Sequence, residues 1–232
     1  MDFMYSIVAF FGGGGFMMFP IAVVMAVGTA IAVERYVTLA RLGAKNRNAW
    51  AQIQPVLASG DFDKARSMTQ NDDTAVSVLL SSGLARQGAV RRREDVEVAM
   101  EESMMEIVPQ LEKRTHYLAT FANLATLLGL LGTVSGLIHA FGAVATVNPA
   151  EKANLLSASI SEAMNCTAFG LMTAVPFVFA HAFLQTKTIE LVTGLEMACT
   201  KFLNAVTERQ TLRAQGRLGL VHPQSPAQAA QA

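Results

Sequence analysis

Few side chains in this sequence could handle a proton or a small cation inside an apolar segment. They are Glu162 and the hydroxyls of Thr126, Thr133, Thr167 and Thr173. A carboxyl takes up and releases protons. A threonine hydroxyl holds water and passes hydrogen bonds, but it does not titrate. At 100° per residue, Ala119, Asn123, Thr126, Gly129, Thr133, Gly136 and Ala140 share one face of a helix, within an arc of roughly 140°. Glu162, Thr173, Cys166, Ser159, Gly170, Ala163, Ala174 and Thr167 share a similar arc on a second helix. Gly129, Gly132, Gly136 and Gly170 have a plainer reading, because small residues let helices approach closely in a membrane. Glu162 is harder to explain by packing. An ionisable group in a span is costly and marks a partner or a pathway, unless it lies near the lipid surface. His139 and His181 fall near span ends and read as interfacial residues rather than relays.

The middles of these segments carry no Asp, Glu or Lys. A proton route therefore needs its main titrating carboxylate from another chain. No CxxC, HExxH, Walker loop or GxSxG occurs, so a metal site or a nucleophilic enzyme has no support. Neither covalent catalysis nor a cofactor is expected. The two cysteines, Cys166 and Cys199, are too far apart along helix to pair within the chain.

The elements that must position these residues are membrane helices. Of 232 residues, 52% are hydrophobic and 16% charged, and the mean hydropathy is +0.35. Soluble chains carry about 25% charged residues. Net charge is zero, so no nucleic acid is implied. A bilayer core needs about 20 apolar residues in a helix, and the sequence predicts three spans, at 16–36, 117–147 and 155–186. The second and third are each about 30 residues, or roughly 45 Å, so they tilt or protrude. Residues 1–15 read as an interfacial segment broken from the first span by Gly12–Gly15, and 148–154 as a hairpin. Residues 37–116 read as helical, with Ser59 or Asp61 as a cap, and the charged helix around 91–114 as continuous with the second span. Residues 187–214 extend the third span as a charged helix, and 215–232 read as a disordered tail. Lys and Arg number twelve from Arg35 to Arg114, one in the hairpin (Lys152) and five after the third span. The positive-inside rule places the middle region and the C-terminus in the cytoplasm, with the N-terminus and the hairpin outside.

Three stretches resemble the proton-channel subunits of the ExbB/TolQ/MotA group, closest to its ExbB/TolQ branch. They are "GGGGFMMFPIAVVMAVGTAIAVERYVTLAR" with Pro20 and Glu34-Arg35, "LLGLLGTVSGLIHAF" (Leu127 to Phe141), and "SISEAMNCTAFGLMTAVP" (Ser159 to Pro176). The resemblance covers roughly residues 12–205, and the second and third motifs together are specific. It implies an all-α inner-membrane protein with three spans and cytoplasmic helical extensions, assembling as a ring of five copies. Two copies of a single-span partner of ExbD/TolR type would bring a membrane aspartate. Thr133 and Thr167 would line the path, and Glu162 would sit at its outer side. The translocated ion would be H+, less readily Na+. One departure is Ala125-Thr126, where the family often has Ala-Pro; Thr126 then adds a polar wall residue. The middle region also lacks a large torque domain, which disfavours a flagellar role. TonB-dependent import, Tol-type envelope maintenance and gliding would all use such a motor. The competing reading is a passive homo-oligomeric scaffold whose small residues serve packing alone.

Overall fold

The computed structural model describes residues 15–87, 93–145 and 147–221, and the regular elements among them are all helices. They are α1 (Met18–Ala58), α2 (Phe62–Gln70), α3 (Ala75–Gln87), α4 (Arg93–Glu112), α5 (Thr115–Val144) and α6 (Lys152–Val221). Most of the expected interfacial segment, Arg91 and Arg92, and the end of the expected tail lie outside the described residues. Three stretches are long and apolar enough to cross a membrane: Met18–Ala58, Arg93–Val144 and Lys152–Arg209. The chain divides into two compact units. One comprises the residues up to Leu39 with Glu112–Thr188, the other Ala40–Leu111 with the residues from Ile189 onward.

The first unit packs the early part of α1 against α5 and α6. Gly15 has φ +70°, a left-handed conformation that a side chain would oppose, and α1 begins just after it. Pro20 falls in the first turn, where its missing N–H costs nothing. Met18, Ile21, Cys166 and Phe169 form one buried cluster. Val24, Ala122, Ala125, Ala174 and Phe177 form another. Around this small interior the surface is apolar: Phe19, Leu127, Ile138 and Phe179 are all exposed. That is the pattern of helices solvated by lipid or by further protein rather than by water.

The second unit has a core of the water-soluble kind. Phe202 is fully buried among Leu79, Leu80, Met100 and Val206. It meets Phe62 edge-on at 6.2 Å. Helix α1 ends in a Schellman turn. Gly60 (φ +76°) lets Asp61 N–H reach Val56 O (3.3 Å) and Gly60 N–H reach Leu57 O (3.1 Å). Of the two expected caps, Asp61 serves: its carboxylate accepts from Lys64 N–H at 3.1 Å. Asp72 organises the start of α3. It accepts from the hydroxyls of Thr74 and Ser77, each at 2.8 Å, and from Thr74 N–H at 3.2 Å.

Two expectations are corrected. The charged helix does not run unbroken into the second span, because α4 stops at Glu112 and α5 starts at Thr115. Arg114 between them is left-handed (φ 66°), which interrupts the ladder of bonds. Its guanidinium is held by both carboxylate oxygens of Glu34, at 2.8 and 2.9 Å. Nothing local, neither Gly nor Pro nor Asn, announces that break. The expected tail begins in helix, since α6 continues to Val221. Extending a formed helix fixes one residue per bond, and the first proline that would oppose it is Pro223.

Burial disfavours ionisation of the Asp72 carboxyl. The hydrogen bonds from Ser77 and Thr74, with the charge of Lys45, outweigh that and hold its pKa below the ordinary value. A depressed carboxyl contributes stability above its unfolded pKa and loses it as pH falls through the folded one. Asp72→Ala is expected to weaken α3 by about 1 kcal/mol at neutral pH, with the difference closing below about pH 4. Amide exchange of residues 75–87 at both pH values measures this.

Candidate functional site

Helices α5 and α6 run antiparallel and touch through their backbones. A Cβ on Gly129 would lie 3.3 Å from Gly170 Cα and 3.3 Å from Thr167 Cα. One on Gly170 would come within 2.7 Å of the Ala125 carbonyl oxygen, and one on Gly136 within 2.8 Å of Ala163 Cβ. One on Gly132 would collide with Cys166 Sγ. The seam is thus a row of missing side chains on α5 set against small residues of α6. This is the close approach that membrane helices use where no hydrophobic force separates lipid from protein.

Thr167 bridges the seam. Its hydroxyl donates to the Gly129 carbonyl oxygen at 2.8 Å. In a helix that same oxygen accepts the N–H four residues on, which is that of Thr133. The two threonines expected to line a path therefore converge on one carbonyl, Thr167 by its side chain and Thr133 by its backbone. The Thr133 hydroxyl donates to its own helix, at Leu130 O (2.7 Å), and is half-buried. Thr126 and Thr173 also bond back, to Ala122 O and Phe169 O, each at 3.0 Å. Thr126 is exposed and Thr173 buried.

The expected α5 face is divided by this packing. Gly129 and Ala140 of that face are buried, Ala119, Thr133 and Gly136 half-buried, and Asn123 and Thr126 exposed, while Ala122, Ala125 and Gly132 beside it are buried. The closest approach selects positions with the least side chain, and it turns the larger polar residues to the flank. On α6, Ala163, Cys166, Gly170, Thr173 and Ala174 are buried, Thr167 is half-buried and Glu162 is exposed. Glu162 stands against the Gly15 backbone, where a Cβ would run into its carboxylate. The glycine run was legible as a chain break; that Gly15 leaves room for Glu162 was not. Cys166 and Cys199 are free thiols on α6. Among the described residues no group of three or more His, Cys, Asp or Glu could hold a metal ion.

Sequence reasoning missed the Glu34–Arg114 pair. Its partners are 80 positions apart, and each is about half exposed, at 49% and 48%, so its net worth is about 0–1 kcal/mol. Its place is more informative than its energy, because it ties the end of the apolar part of α1 to the start of α5.

Residues 71–197 match the MotA/TolQ/ExbB proton channel family. The chain is 34% identical over 109 residues to the Tol-Pal system protein TolQ of Haemophilus influenzae, covering 47% of this chain and 46% of that one. It is 38% identical over 101 residues to the biopolymer transport protein exbB1 of Vibrio cholerae, covering 44% of each. It is 24% identical over 172 residues to a putative biopolymer transport protein, ExbB-like 3, of Synechocystis, covering 73% of this chain and 81% of the relative. The matched region thus spans under half the length of the first two relatives.

Three substitutions, one of them a control, test the seam. Gly170→Ala is expected to lower thermal stability in lipid nanodiscs by about 1–3 kcal/mol, since the new methyl meets backbone that cannot yield. Gly142→Ala, with open space around it, is expected to leave stability unchanged or raise it slightly. Thr167→Val, which keeps the shape and removes the bond to Gly129, is expected to cost about 0.6–1 kcal/mol in the same measurement.

Proposed function

From the chain's membership of the MotA/TolQ/ExbB proton channel family, we propose that it is the ring-forming subunit of an inner-membrane motor driven by the proton gradient. The motor would energise an envelope process such as TonB-dependent import, Tol-type envelope maintenance or gliding. On this reading five copies surround two copies of a single-span protein of ExbD/TolR type. The N-terminus and the α5–α6 turn face outward, and the charged helical regions and the C-terminus lie in the cytoplasm. H+ is the ion moved, and Na+ the less favoured alternative.

The observation that carries the proposal is the seam itself. Two apolar helices meet at backbone distance, with the Thr167 hydroxyl and the Thr133 backbone N–H converging on the Gly129 carbonyl. Meanwhile α5 holds no Asp, Glu, Lys or Arg, and residues 153–186 hold Glu162 alone. Hydroxyl and carbonyl oxygens of this kind can solvate a proton carrier, but they cannot themselves release a proton. A carboxylate from a second chain completes the chemistry. Glu162, beside Gly15, would lie on the outer side of the route.

One observation favours the passive scaffold instead. The hydroxyls of Thr126, Thr133 and Thr173 are each satisfied within their own helix, as packing alone would require. The two readings separate on the complex isolated gently from native membranes. The motor reading expects an intact mass of five copies of this chain with two of a small single-span protein. It also expects Thr133→Ala to slow proton entry into liposomes by about tenfold or more, equivalent to at least ~1.4 kcal/mol on the barrier, with assembly unchanged. A homo-oligomer without a partner, and proton entry indifferent to Thr133→Ala, would establish the scaffold.

A further inference from the structure

Histidine is the side chain whose ordinary pKa lies closest to neutrality, and the fold brings two of them together. His116 is in the first turn of α5, and His181 lies on α6. Their ring centroids are 6.2 Å apart, with the planes inclined at 36°. We infer that His116 and His181, with Thr115, form a proton-transfer station at the end of the three-helix unit where α5 begins. The inference rests on the proposed motor function, whose orientation puts this end at the cytoplasm.

The geometry at His181 fixes its chemistry. Nδ1 lies 3.1 Å from the Thr115 carbonyl oxygen. A carbonyl only accepts, so the bond requires the hydrogen on Nδ1. In the neutral ring, Nε2 is then the nitrogen with the lone pair. One backbone contact thus selects the tautomer and leaves a base. His181 is half-buried and His116 is exposed, so the pair leads from the helix interior to solvent. Thr115 supplies a second, independent sign. It is 5% exposed, and its hydroxyl has no hydrogen-bond partner among the described residues. Native structures seldom bury a hydroxyl in that condition without a use for it. A hydroxyl both donates and accepts; the two rings, 6.2 Å apart at their centroids, are too far apart for a direct bond, so transfer between them needs a bridging water.

The transfer balances without a further reactant. A proton arriving from the seam binds Nε2 of His181 and makes an imidazolium. The cation gives a proton from Nε2 through water to His116, whose exposed ring releases it to bulk. His181 returns to the neutral form with its Nδ1 hydrogen still on the Thr115 carbonyl. The other ionisable groups on neighbouring turns are Glu34, Arg35 and Tyr36 on α1, Glu112 to Arg114 at the α4–α5 break, Tyr117, and Lys187 on α6. Glu34 is already engaged by Arg114.

The test uses His181→Asn, whose amide can still donate to the Thr115 carbonyl while the basic nitrogen is lost. In the full chain in lipid nanodiscs, the two histidines followed by 15N NMR are expected to titrate as a coupled pair. His181→Asn should displace the pH dependence of the His116 ring resonances. An unshifted His116 overturns the station. If His181→Asn does not assemble, His116→Asn at the exposed position gives the reciprocal shift in His181. In liposomes carrying the complex isolated from native membranes, His181→Asn is expected to slow proton entry about tenfold and to remove a limb of the rate–pH profile near neutrality. A conducting wild type with an unchanged rate and profile in the His116→Asn, His181→Asn double variant also overturns it. A wild-type complex that conducts nothing refutes the motor reading instead, while the coupled titration still decides the pair.

Discussion

The contact between Gly129 and Gly170 sets the arrangement of the first unit. With no side chain on either residue, the α5 and α6 backbones come close enough that a single added methyl would meet main-chain atoms. In lipid, apolar side chains gain nothing by leaving one hydrocarbon for another, so close packing and the occasional interhelical hydrogen bond must hold helices together. The Thr167 hydroxyl on the Gly129 carbonyl supplies that bond at the point of closest approach. Register follows from it, with Gly132 against Cys166 and Gly136 against Ala163.

The same constraint distributes the polar atoms. A hydroxyl on an apolar helix needs an acceptor, and the nearest are the carbonyls three or four residues back. Thr126, Thr133 and Thr173 take them; Thr167 reaches across the seam instead. The carboxyl and imidazole groups of these helices lie to either side of the seam. Glu162 stands against Gly15 at one end, and His116 with His181 at the other. Between them the buried positions are Gly, Ala, Cys, Thr and large apolar residues. A carrier that moved through such a segment would bring its own carboxylate.

The two units solve burial differently. The second follows the rules of a protein in water, with Phe202 enclosed and a Schellman turn and an aspartate-organised cap at its helix ends. The first keeps little buried and leaves large apolar side chains such as Phe179 outside, 73% exposed. A hydrophobic surface of that kind is stable only in lipid or against other protein.

The sequence by itself determined the membrane class, the three apolar helices and the family. Those depend on composition, run length and motif spacing, all of which are local. It also marked Thr133, Thr167 and Glu162 as the residues to examine, because a polar group in an apolar helix stands out without any fold. It could not tell which part of a 140° arc faces a neighbour. That rotation depends on where two backbones come closest, and it separated Gly129 and Ala140 from Asn123 and Thr126. Nor could it pair Glu34 with Arg114, Gly15 with Glu162 or His116 with His181. Those partners lie far apart in the chain, and no local pattern records a distance that only folding sets. The left-handed turn at Arg114 was invisible for the same reason, since an arginine with no special propensity is held there by a carboxylate from another helix.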